Sequence, residues 1–321
     1  MANTLPTSTP EAAINLAKIA YIDETEDGNP QQKTDITTAL SNLDSSIQGP
    51  WSLVWGPSAI GGNLAYVALN STNDLYAVVL RGTVSSESWA LFDNLEQDAD
   101  AITQVNWLYP QNSNGLQVSS GFFEALKNII VVPDPTTDTT LMDFLRQTFN
   151  TNYNAQLLVT GHSLGAALVT MVATWLYDQL PKGGGPSNVS ITPITFAAPT
   201  AGNQAFATYY DSIFLTSQRY VNTLDLVPMG YADLATLVTE YASPGPSLKS
   251  YNLAVYEALW FAAPVFAKNY SQTNQTNGTV SFQGPAPVST NTFPTEVEVQ
   301  HSTDTYISYF TNAASSAAAG K

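Results

Sequence analysis

Apolar residues in this chain recur first at helical spacing and then at strand spacing. Residues Glu11 to Ile22 follow Thr9-Pro10, a typical helix start, and their small and apolar side chains fall on one side. A second helix is predicted because four apolar residues would fall on one of its faces, namely Ile36, Leu40, Leu43 and Ile47. Three apolar strands separated by turns rich in Gly, Pro and Asn follow, at Ser52 to Trp55, Leu64 to Leu69 and Leu75 to Leu80. The order predicts two helices and then an antiparallel start to a sheet.

The rest of the chain alternates predicted helices with predicted strands. The helices are Phe122 to Val131, Leu141 to Phe149 and Leu164 to Leu180, and the strands are Gln156 to Thr160, Val189 to Phe196 and Gln218 to Asn222. This alternation is typical of a mostly parallel sheet covered by helices. We therefore predict a single α/β domain over residues 1–321.

The stretch from Ser243 to Pro294 departs from this alternation. Its ends are rich in Pro, Gly, Asn, Ser and Thr, and they enclose an apolar block from Tyr251 to Phe266. We interpret the segment of about residues 243–294 as an excursion from the fold. The apolar block is too short for a membrane span and predicts a buried helix.

Composition narrows the possible partners. The formal charge of −16, from 26 acidic and 10 basic residues, argues against nucleic acid and against anionic membranes. The absence of cysteine excludes disulfides, a thiol nucleophile and cysteine-based metal sites. Residues 1–6 show neither the basic nor the apolar region of a secretory signal, and the sequence is compatible with secretion and with a cytoplasmic location.

The pentapeptide Gly161-His162-Ser163-Leu164-Gly165 lies between the strand that ends at Thr160 and the helix that begins at Leu164. This order is typical of a nucleophile elbow, a sharp turn that exposes a serine hydroxyl above the sheet. The two glycines fit, because a side chain at either position would obstruct the approach of strand and helix. Ser163 is the predicted nucleophile.

A serine hydroxyl needs a neighbouring base, usually an imidazole that a carboxylate orients. The chain has two histidines. His162 adjoins Ser163, so its side chain is expected to point elsewhere and to pack beneath the turn. His301 follows residues 296–300, whose alternation predicts a strand, and Ser302-Thr303-Asp304 can cap a final helix. Catalytic side chains of open α/β sheets collect at the carboxyl ends of strands, so His301 is the predicted base.

The acid is expected between the serine and the histidine in chain order. Asp225 lies just past the predicted strand Gln218 to Asn222, again at a carboxyl end, and is the preferred candidate. Asp233 is the reserve. The other candidates in this interval are Asp178, Asp211 and Glu240.

Two backbone N–H groups should meet the negative charge of a tetrahedral intermediate. Leu164, the residue after the serine, is expected to supply one. Arg81-Gly82-Thr83 follows the strand that ends at Leu80, and the N–H and hydroxyl of Thr83 are candidates for the second donor. The same tripeptide is also compatible with an ordinary turn.

The succession of these motifs is similar to that of the class 3 lipase family, the fungal-type triacylglycerol lipases. The similarity runs from about Leu64 to Tyr306, through Val79 to Thr83, Val118 to Phe122, Val159 to Leu168, Thr195 to Asn203, Val221 to Pro228, and His301. The resemblance implies an α/β-hydrolase fold with a mostly parallel sheet, helices on both faces and a lid helix. It implies a triad of Ser163, Asp225 and His301. Thr83 and Leu164 match the family's oxyanion hole.

The sequence departs from the family in several places. Ser120 stands where many relatives carry histidine, and Ala197 replaces a frequent glycine. Secreted fungal members have disulfides, which this chain cannot form, so a bacterial or otherwise simplified relative is expected. The interval between Asp225 and His301 is long for the family and accommodates the excursion.

The resemblance also assigns a substrate side to the molecule. Residues 84–95 occupy the place of the family's lid. Its side chains Trp89, Leu91 and Phe92 would cover the serine when the lid is closed and meet lipid when the lid is open. A fixed helix packed on the core is the alternative. For the block from Tyr251 to Phe266, a second cap or a wall of an acyl channel is the alternative to a buried helix.

Residues and resemblance together predict a serine carboxylic-ester hydrolase, foremost a triacylglycerol lipase, that forms an acyl-enzyme without a cofactor or metal. The expected partner is a lipid or ester substrate at an oil–water interface, with no nucleic acid and no stable membrane span. Feruloyl-type esterase and phospholipase A1 activities are alternatives within catalysis. A non-catalytic lipid-binding protein on the same scaffold is the alternative from another class.

Overall fold

A computed structural model describes residues 5–23, 29–72, 74–82, 103–110, 114–152, 155–241, 245–274 and 278–319. The helices are α1 (Thr9–Ile19), α2 (Pro30–Ser41), α3 (Ser120–Val131), α4 (Leu141–Thr151), α5 (Leu164–Gln179), α6 (Gln204–Ile213), α7 (Leu234–Leu237), α8 (Leu248–Tyr251), α9 (Leu253–Asn269), α10 (Phe293–His301) and α11 (Thr303–Ala319). The strands are β1 (Ser52–Ile60), β2 (Asn63–Asn70), β3 (Leu75–Leu80), β4 (Gln104–Asn106), β5 (Gln117–Ser119), β6 (Gln156–His162), β7 (Ser190–Phe196), β8 (Gln218–Asn222) and β9 (Thr279–Phe282).

The central sheet has the strand order β1-β2-β3-β6-β7-β8-β9. In this sheet the pairs β1–β2 and β2–β3 are antiparallel. The pairs β3–β6, β6–β7, β7–β8 and β8–β9 are parallel. Strands β4 and β5 form a separate two-stranded sheet. The prediction of an antiparallel start followed by a mostly parallel sheet is confirmed.

Both faces of the central sheet are covered by helices. On β3, Val78 and Leu80 join an apolar core that α3, α4 and α5 complete, whereas Ala77 and Val79 join a second core built with α1, α2 and α11. This division follows from the strand geometry, because successive side chains point to opposite faces of a sheet. The carboxyl ends of the parallel strands therefore form one edge between two layers of helices.

Residues 296–300 form part of helix α10, so the strand predicted there is wrong. Thr292 caps this helix by accepting a hydrogen bond from the Thr295 N–H, and a proline occupies its first turn. Glu296 and Gln300 are one turn apart, both are buried, and they are joined by a hydrogen bond of 2.8 Å. The alternation of polar and apolar residues over 296–300 was misleading as a strand signal, because Glu296 and Gln300 face inward while Val299 is exposed.

The predicted excursion does not lie wholly outside the fold. Its residues Thr279–Phe282 form β9, the edge strand beside β8. Helices α8 and α9 precede this strand, and α9 packs against α7. Within the described ranges, no helix combines the length and the apolar character that crossing a membrane requires.

Candidate active site

The turn between β6 and α5 has the geometry of a nucleophile elbow. Ser163 adopts φ 61° and ψ −132°, a backbone conformation that L residues rarely occupy. A side chain at Gly161 would place its Cβ atom 2.8 Å from the Leu80 carbonyl oxygen, and one at Gly165 would overlap that same oxygen. The two glycines therefore allow β3, β6 and α5 to meet closely enough to hold the strained serine in place.

Ser163, His301 and Asp225 form one hydrogen-bonded row. The Ser163 Oγ atom lies 2.8 Å from His301 Nε2, and His301 Nδ1 lies 2.9 Å from Asp225 Oδ2. A carboxylate can only accept, so Nδ1–H donates to Asp225 and leaves Nε2 free to accept the serine proton. The exposed fractions are 4% for Ser163, 7% for His301 and 0% for Asp225. This arrangement pairs a weakly nucleophilic hydroxyl with an oriented base away from bulk water.

The carboxylate of Asp225 has two further donors. The Tyr306 hydroxyl donates to Oδ2 over 2.8 Å, and the Val227 N–H donates to Oδ1 over 3.0 Å. Burial, followed by the nearby Asp225 charge, raises the pKa of Tyr306, so its proton stays on the phenol. Burial lowers the pKa of the Arg219 guanidinium to about 10, and the negative charge of Asp225 opposes that decrease. Asp225 thus has two hydrogen-bond donors besides His301 and lies near the guanidinium of Arg219.

His162 supports the backbone of His301. Its Nε2 atom lies 2.7 Å from the His301 carbonyl oxygen, and its Nδ1 atom lies 3.1 Å from the Tyr21 hydroxyl. The carbonyl only accepts, which assigns the proton to Nε2 and makes Nδ1 the acceptor for Tyr21. Burial, then the neighbouring His301, lowers the pKa of His162 well below its usual value. The imidazole is therefore neutral, and the two rings pack with centroids 4.5 Å apart.

The N-terminus of α5 lies at the elbow. Leu164 is the first residue of this helix, and first-turn N–H groups have no acceptor within their own helix. Gly82 lies against the elbow, since a Cβ atom there would stand 2.9 Å from the Ser163 Cβ atom. Thr83 and the predicted lid of residues 84–95, with Trp89, Leu91 and Phe92, lie outside the described residues.

Three of the four other acidic candidates are engaged elsewhere. Asp233 caps α7 by accepting from the Thr236 N–H, Asp178 accepts from a tyrosine hydroxyl, and Asp211 accepts from a backbone N–H. Asp225 is accordingly the acid that the structure brings to His301. In the described part of the chain, no three histidine, aspartate or glutamate side chains converge as a metal site would require.

Two residues of the site carried no sequence signal that singled them out. Tyr306 lies in α11 beyond the family motifs, and Tyr21 lies just past α1. Both reach the site only because these helices pack on the same face of the sheet as α2. Their sequence separation from Ser163 hides this contact.

Comparison with known proteins covers the region that carries two of the three residues of this row. The model of the family "Lipase (class 3)" matches residues 77–233, which include Ser163 and Asp225. This match relates residues 77–233, just under half of the chain, to the class 3 lipases.

Individual relatives extend the comparison. The chain is 30% identical over 189 residues to the "Secreted mono- and diacylglycerol lipase A" of Penicillium cyclopium, covering 56% of this chain and 52% of that protein. It is 28% identical over 176 residues to a "Lipase" of Rhizopus niveus, covering 54% of this chain and 41% of that protein. The chain therefore spans about half or less of these curated relatives.

A solved structure resembles the chain over nearly its whole length. The crystal structure of M37 lipase has a TM-score of 0.77 and 24% sequence identity, and the match covers 93% of this chain and 92% of that one. At this identity the likeness establishes the fold, including the parts outside residues 77–233. The class 3 lipase region thus lies within an α/β-hydrolase-like architecture.

Proposed function

We propose that this protein is a serine carboxylic-ester hydrolase of the class 3 lipase family that acts on the acyl esters of glycerides. The observation that carries the proposal is the row Ser163–His301–Asp225, with both hydrogen bonds below 3 Å. A hydroxyl paired with an imidazole that a buried carboxylate orients is suited to acyl transfer. The names of the relatives, a mono- and diacylglycerol lipase and a lipase, support glyceride esters as the substrate class.

The geometry supports a two-stage reaction. His301 Nε2 takes the proton of Ser163 Oγ as that oxygen attacks the ester carbonyl carbon. The resulting oxyanion would be held by the N–H of Leu164 and, as the second proposed donor, by Thr83. The intermediate then expels the alcohol, which leaves with the proton from His301, and an acyl-Ser163 ester remains. Water repeats these steps, releases the fatty acid and restores the serine.

Asp225 and the groups that donate to it keep His301 correctly oriented throughout this reaction cycle. The carboxylate accepts from Nδ1–H, so it fixes the His301 tautomer and stabilises the imidazolium that forms in each stage. The remaining Asp225 contacts, with Tyr306 and the Val227 N–H, stop the carboxylate from rotating away. In the proposal, these groups position the reacting atoms and do not exchange protons with the substrate.

The decisive experiment removes the Ser163 hydroxyl alone. Ser163→Ala should lower turnover of a p-nitrophenyl ester by at least about 10³-fold while the circular dichroism spectrum stays unchanged. Labelling by a fluorophosphonate probe should disappear in the same variant. Ser58→Ala is the matched control, because Ser58 is also a buried serine but lies in β1. Ester turnover that survives in Ser163→Ala and falls in Ser58→Ala would contradict the proposal.

Substrate class is tested separately from the mechanism. We expect activity on p-nitrophenyl esters and on glycerides of medium or long acyl chains to exceed activity on methyl ferulate. A preference for methyl ferulate would favour a feruloyl-type esterase, and release of the sn-1 acyl chain of phosphatidylcholine above that of glycerides would favour a phospholipase A1. Failure of the wild-type protein to react with the fluorophosphonate would favour a non-catalytic lipid-binding protein.

A further inference from the structure

Glu296 is a buried acidic side chain that the proposed reaction does not use. It lies in the first turn of α10 and is 1% exposed. One carboxyl oxygen, Oε2, accepts hydrogen bonds from the Val288 N–H over 3.1 Å and from Asn291 Nδ2 over 3.0 Å. The other oxygen, Oε1, accepts from Gln300 Nε2 over 2.8 Å. Burying a carboxyl group is unfavourable unless such donors compensate, and here the three donors also fix its orientation.

Glu296 in turn fixes the side-chain amide of Gln300, which is fully buried. The two N–H groups of Gln300 Nε2 donate to Glu296 Oε1 and to the Pro285 carbonyl oxygen, the latter over 2.7 Å. The amide nitrogen must face these two acceptors, so Gln300 Oε1 is left to accept from Asn222 Nδ2, which lies 2.9 Å away. Exchanging the nitrogen and oxygen of this amide would place a third acceptor against the first two.

Asn222, the last residue of β8, carries this orientation further. Its Nδ2 atom donates to the side-chain oxygen and to the main-chain carbonyl of Gln300, and its Oδ1 atom accepts from the N–H groups of Leu224 and Gly284 over 3.1 and 2.8 Å. Every hydrogen-bonding position of this buried amide is thus occupied. Glycine is required at position 284, because a Cβ atom there would lie 2.6 Å from Asn222 Nδ2 and 2.5 Å from Gln300 Oε1. We call Glu296, Gln300 and Asn222 the amide relay.

The amide relay reaches both His301 and Asp225. The main-chain carbonyl of Gln300 belongs to the same planar peptide group as the His301 N–H, so the bond from Asn222 to this carbonyl restrains the His301 backbone. Carbonyl groups at the end of a helix such as α10 have no donor within the helix, and this bond supplies one from outside. On the other side, Asn222 accepts from the N–H of Leu224, which precedes Asp225. The amide relay therefore restrains the segments that carry the base and the acid.

We propose that Glu296 is a positioning residue, which acts through the amide relay to hold the His301 imidazole in line with Ser163 and Asp225. The proposal rests on the proposed function, and in it Glu296 touches neither substrate nor reacting atoms. Its contribution is orientation, since a misplacement of about 1 Å can cost about a hundredfold in rate. The amide relay requires a hydrogen-bond acceptor at position 296 and does not require a negative charge there.

The first test compares kcat for a soluble p-nitrophenyl ester. Glu296→Met keeps the length of the side chain but removes both acceptors, and it should lower kcat about tenfold with KM nearly unchanged. Glu296→Gln should stay within about twofold of the wild type, because its amide oxygen can accept from Gln300. Its nitrogen would face Asn291, whose amide can turn, and Val288, which is 48% exposed. If Glu296→Met does not fold, Glu296→Asp takes its place with the same expectation, because the shorter side chain withdraws its oxygens from Gln300.

The matched control is Asp134→Leu. Asp134 is also 1% exposed and accepts from main-chain N–H groups, those of Gly56 and Thr136, but it lies beside β1. Urea unfolding should show a lower free energy of unfolding in both Asp134→Leu and Glu296→Met, whereas kcat should fall in Glu296→Met alone. In a Gln300→Met background, Glu296→Met should lower kcat no further, because its effect passes through that amide.

A second measurement follows His301 directly. The chain contains two histidines, so selective labelling with ¹⁵N-histidine yields imidazole signals from His162 and His301 only. The proton on His301 Nδ1, which is hydrogen-bonded to Asp225, should give a downfield signal in the wild type. This signal should broaden by exchange with water in Glu296→Met and stay unchanged in Glu296→Gln and in Asp134→Leu.

Failure of the positioning role and failure of the proposed function give different results. The positioning role is refuted if Glu296→Met leaves either kcat or the His301 signal as in the wild type, if Glu296→Gln loses as much kcat as Glu296→Met, or if the losses from Glu296→Met and Gln300→Met add. Each of these outcomes leaves the proposed function intact, because the wild type remains an esterase that Ser163→Ala inactivates. A wild type without esterase activity, whose His301 signal still depends on Glu296, would refute the proposed function alone.

Discussion

Removing the hydroxyl of Tyr306 tests whether the groups that donate hydrogen bonds to Asp225 matter for the proposed chemistry. Tyr306 is fully buried, donates to Asp225 Oδ2 over 2.8 Å and accepts from the Asn222 N–H over 3.1 Å. Tyr306→Phe keeps the ring and its packing against the second core. It removes one donor from a carboxylate and leaves one buried N–H without its acceptor.

The expected cost follows from these two hydrogen bonds. A hydrogen bond to a charged acceptor contributes about 1.5–3 kcal/mol, and an unpaired buried N–H costs about 1–3 kcal/mol. The free energy of unfolding should therefore fall by about 3 kcal/mol. With that donor gone, the carboxylate of Asp225 is held less firmly and orients His301 less well. A loss of about 1 kcal/mol of transition-state stabilisation would lower kcat about fivefold.

The assay measures kcat and KM for a soluble ester and is combined with urea unfolding. Tyr309→Phe is the matched control, because Tyr309 lies on the same helix and its ring packs on Phe282. We expect a kcat lowered about fivefold in Tyr306→Phe, with KM nearly unchanged. Equal kcat values for the two variants would refute a positioning role. A loss of stability without any fall in kcat would reduce Tyr306 to a structural residue.

Two further predictions concern the elbow and its neighbour. His162 is neutral in the folded protein, whereas the unfolded chain binds a proton below about pH 6.5, so His162 makes stability fall as pH decreases through that value. Relative to His162→Asn in urea unfolding, the wild type should lose about 1 kcal/mol more between pH 7 and pH 5.5, and equal losses would contradict the assignment. Gly165→Ala should destabilise the protein by about 1–3 kcal/mol and lower ester turnover, because its Cβ atom would overlap the Leu80 carbonyl oxygen. Gly121→Ala, whose nearest neighbour would be 3.9 Å away, should be neutral in both measurements.

Strand and helix positions were most predictable where one physical pattern dominated. Strands β3 and β8 occupy the ranges that the sequence predicted, Leu75–Leu80 and Gln218–Asn222, because short apolar runs there are bounded by turn residues. The elbow was predictable for a different reason. Strand, turn and helix must approach so closely that glycine is required on both sides of Ser163, and such a steric demand is visible in sequence.

Contacts between distant elements were not predictable in this way. Strand β9 has four residues and is only partly buried, so it has no apolar run to reveal it. Tyr306 and Tyr21 are ordinary helix-associated tyrosines until α11 and α1 pack on the sheet. The partners of Asp225 and His162 are therefore consequences of tertiary packing, which local spacing does not encode.

His301 was predicted at the end of a strand, and the structure places it at the end of a helix. His301 still lies at the carboxyl edge of the sheet, because the C-terminus of α10 is attached to the carboxyl end of β8. The Nδ2 atom of Asn222, the last residue of β8, donates to both the carbonyl and the side-chain oxygen of Gln300, each over 2.9 Å. These bonds deliver the next residue, His301, to the edge where Asp225 lies.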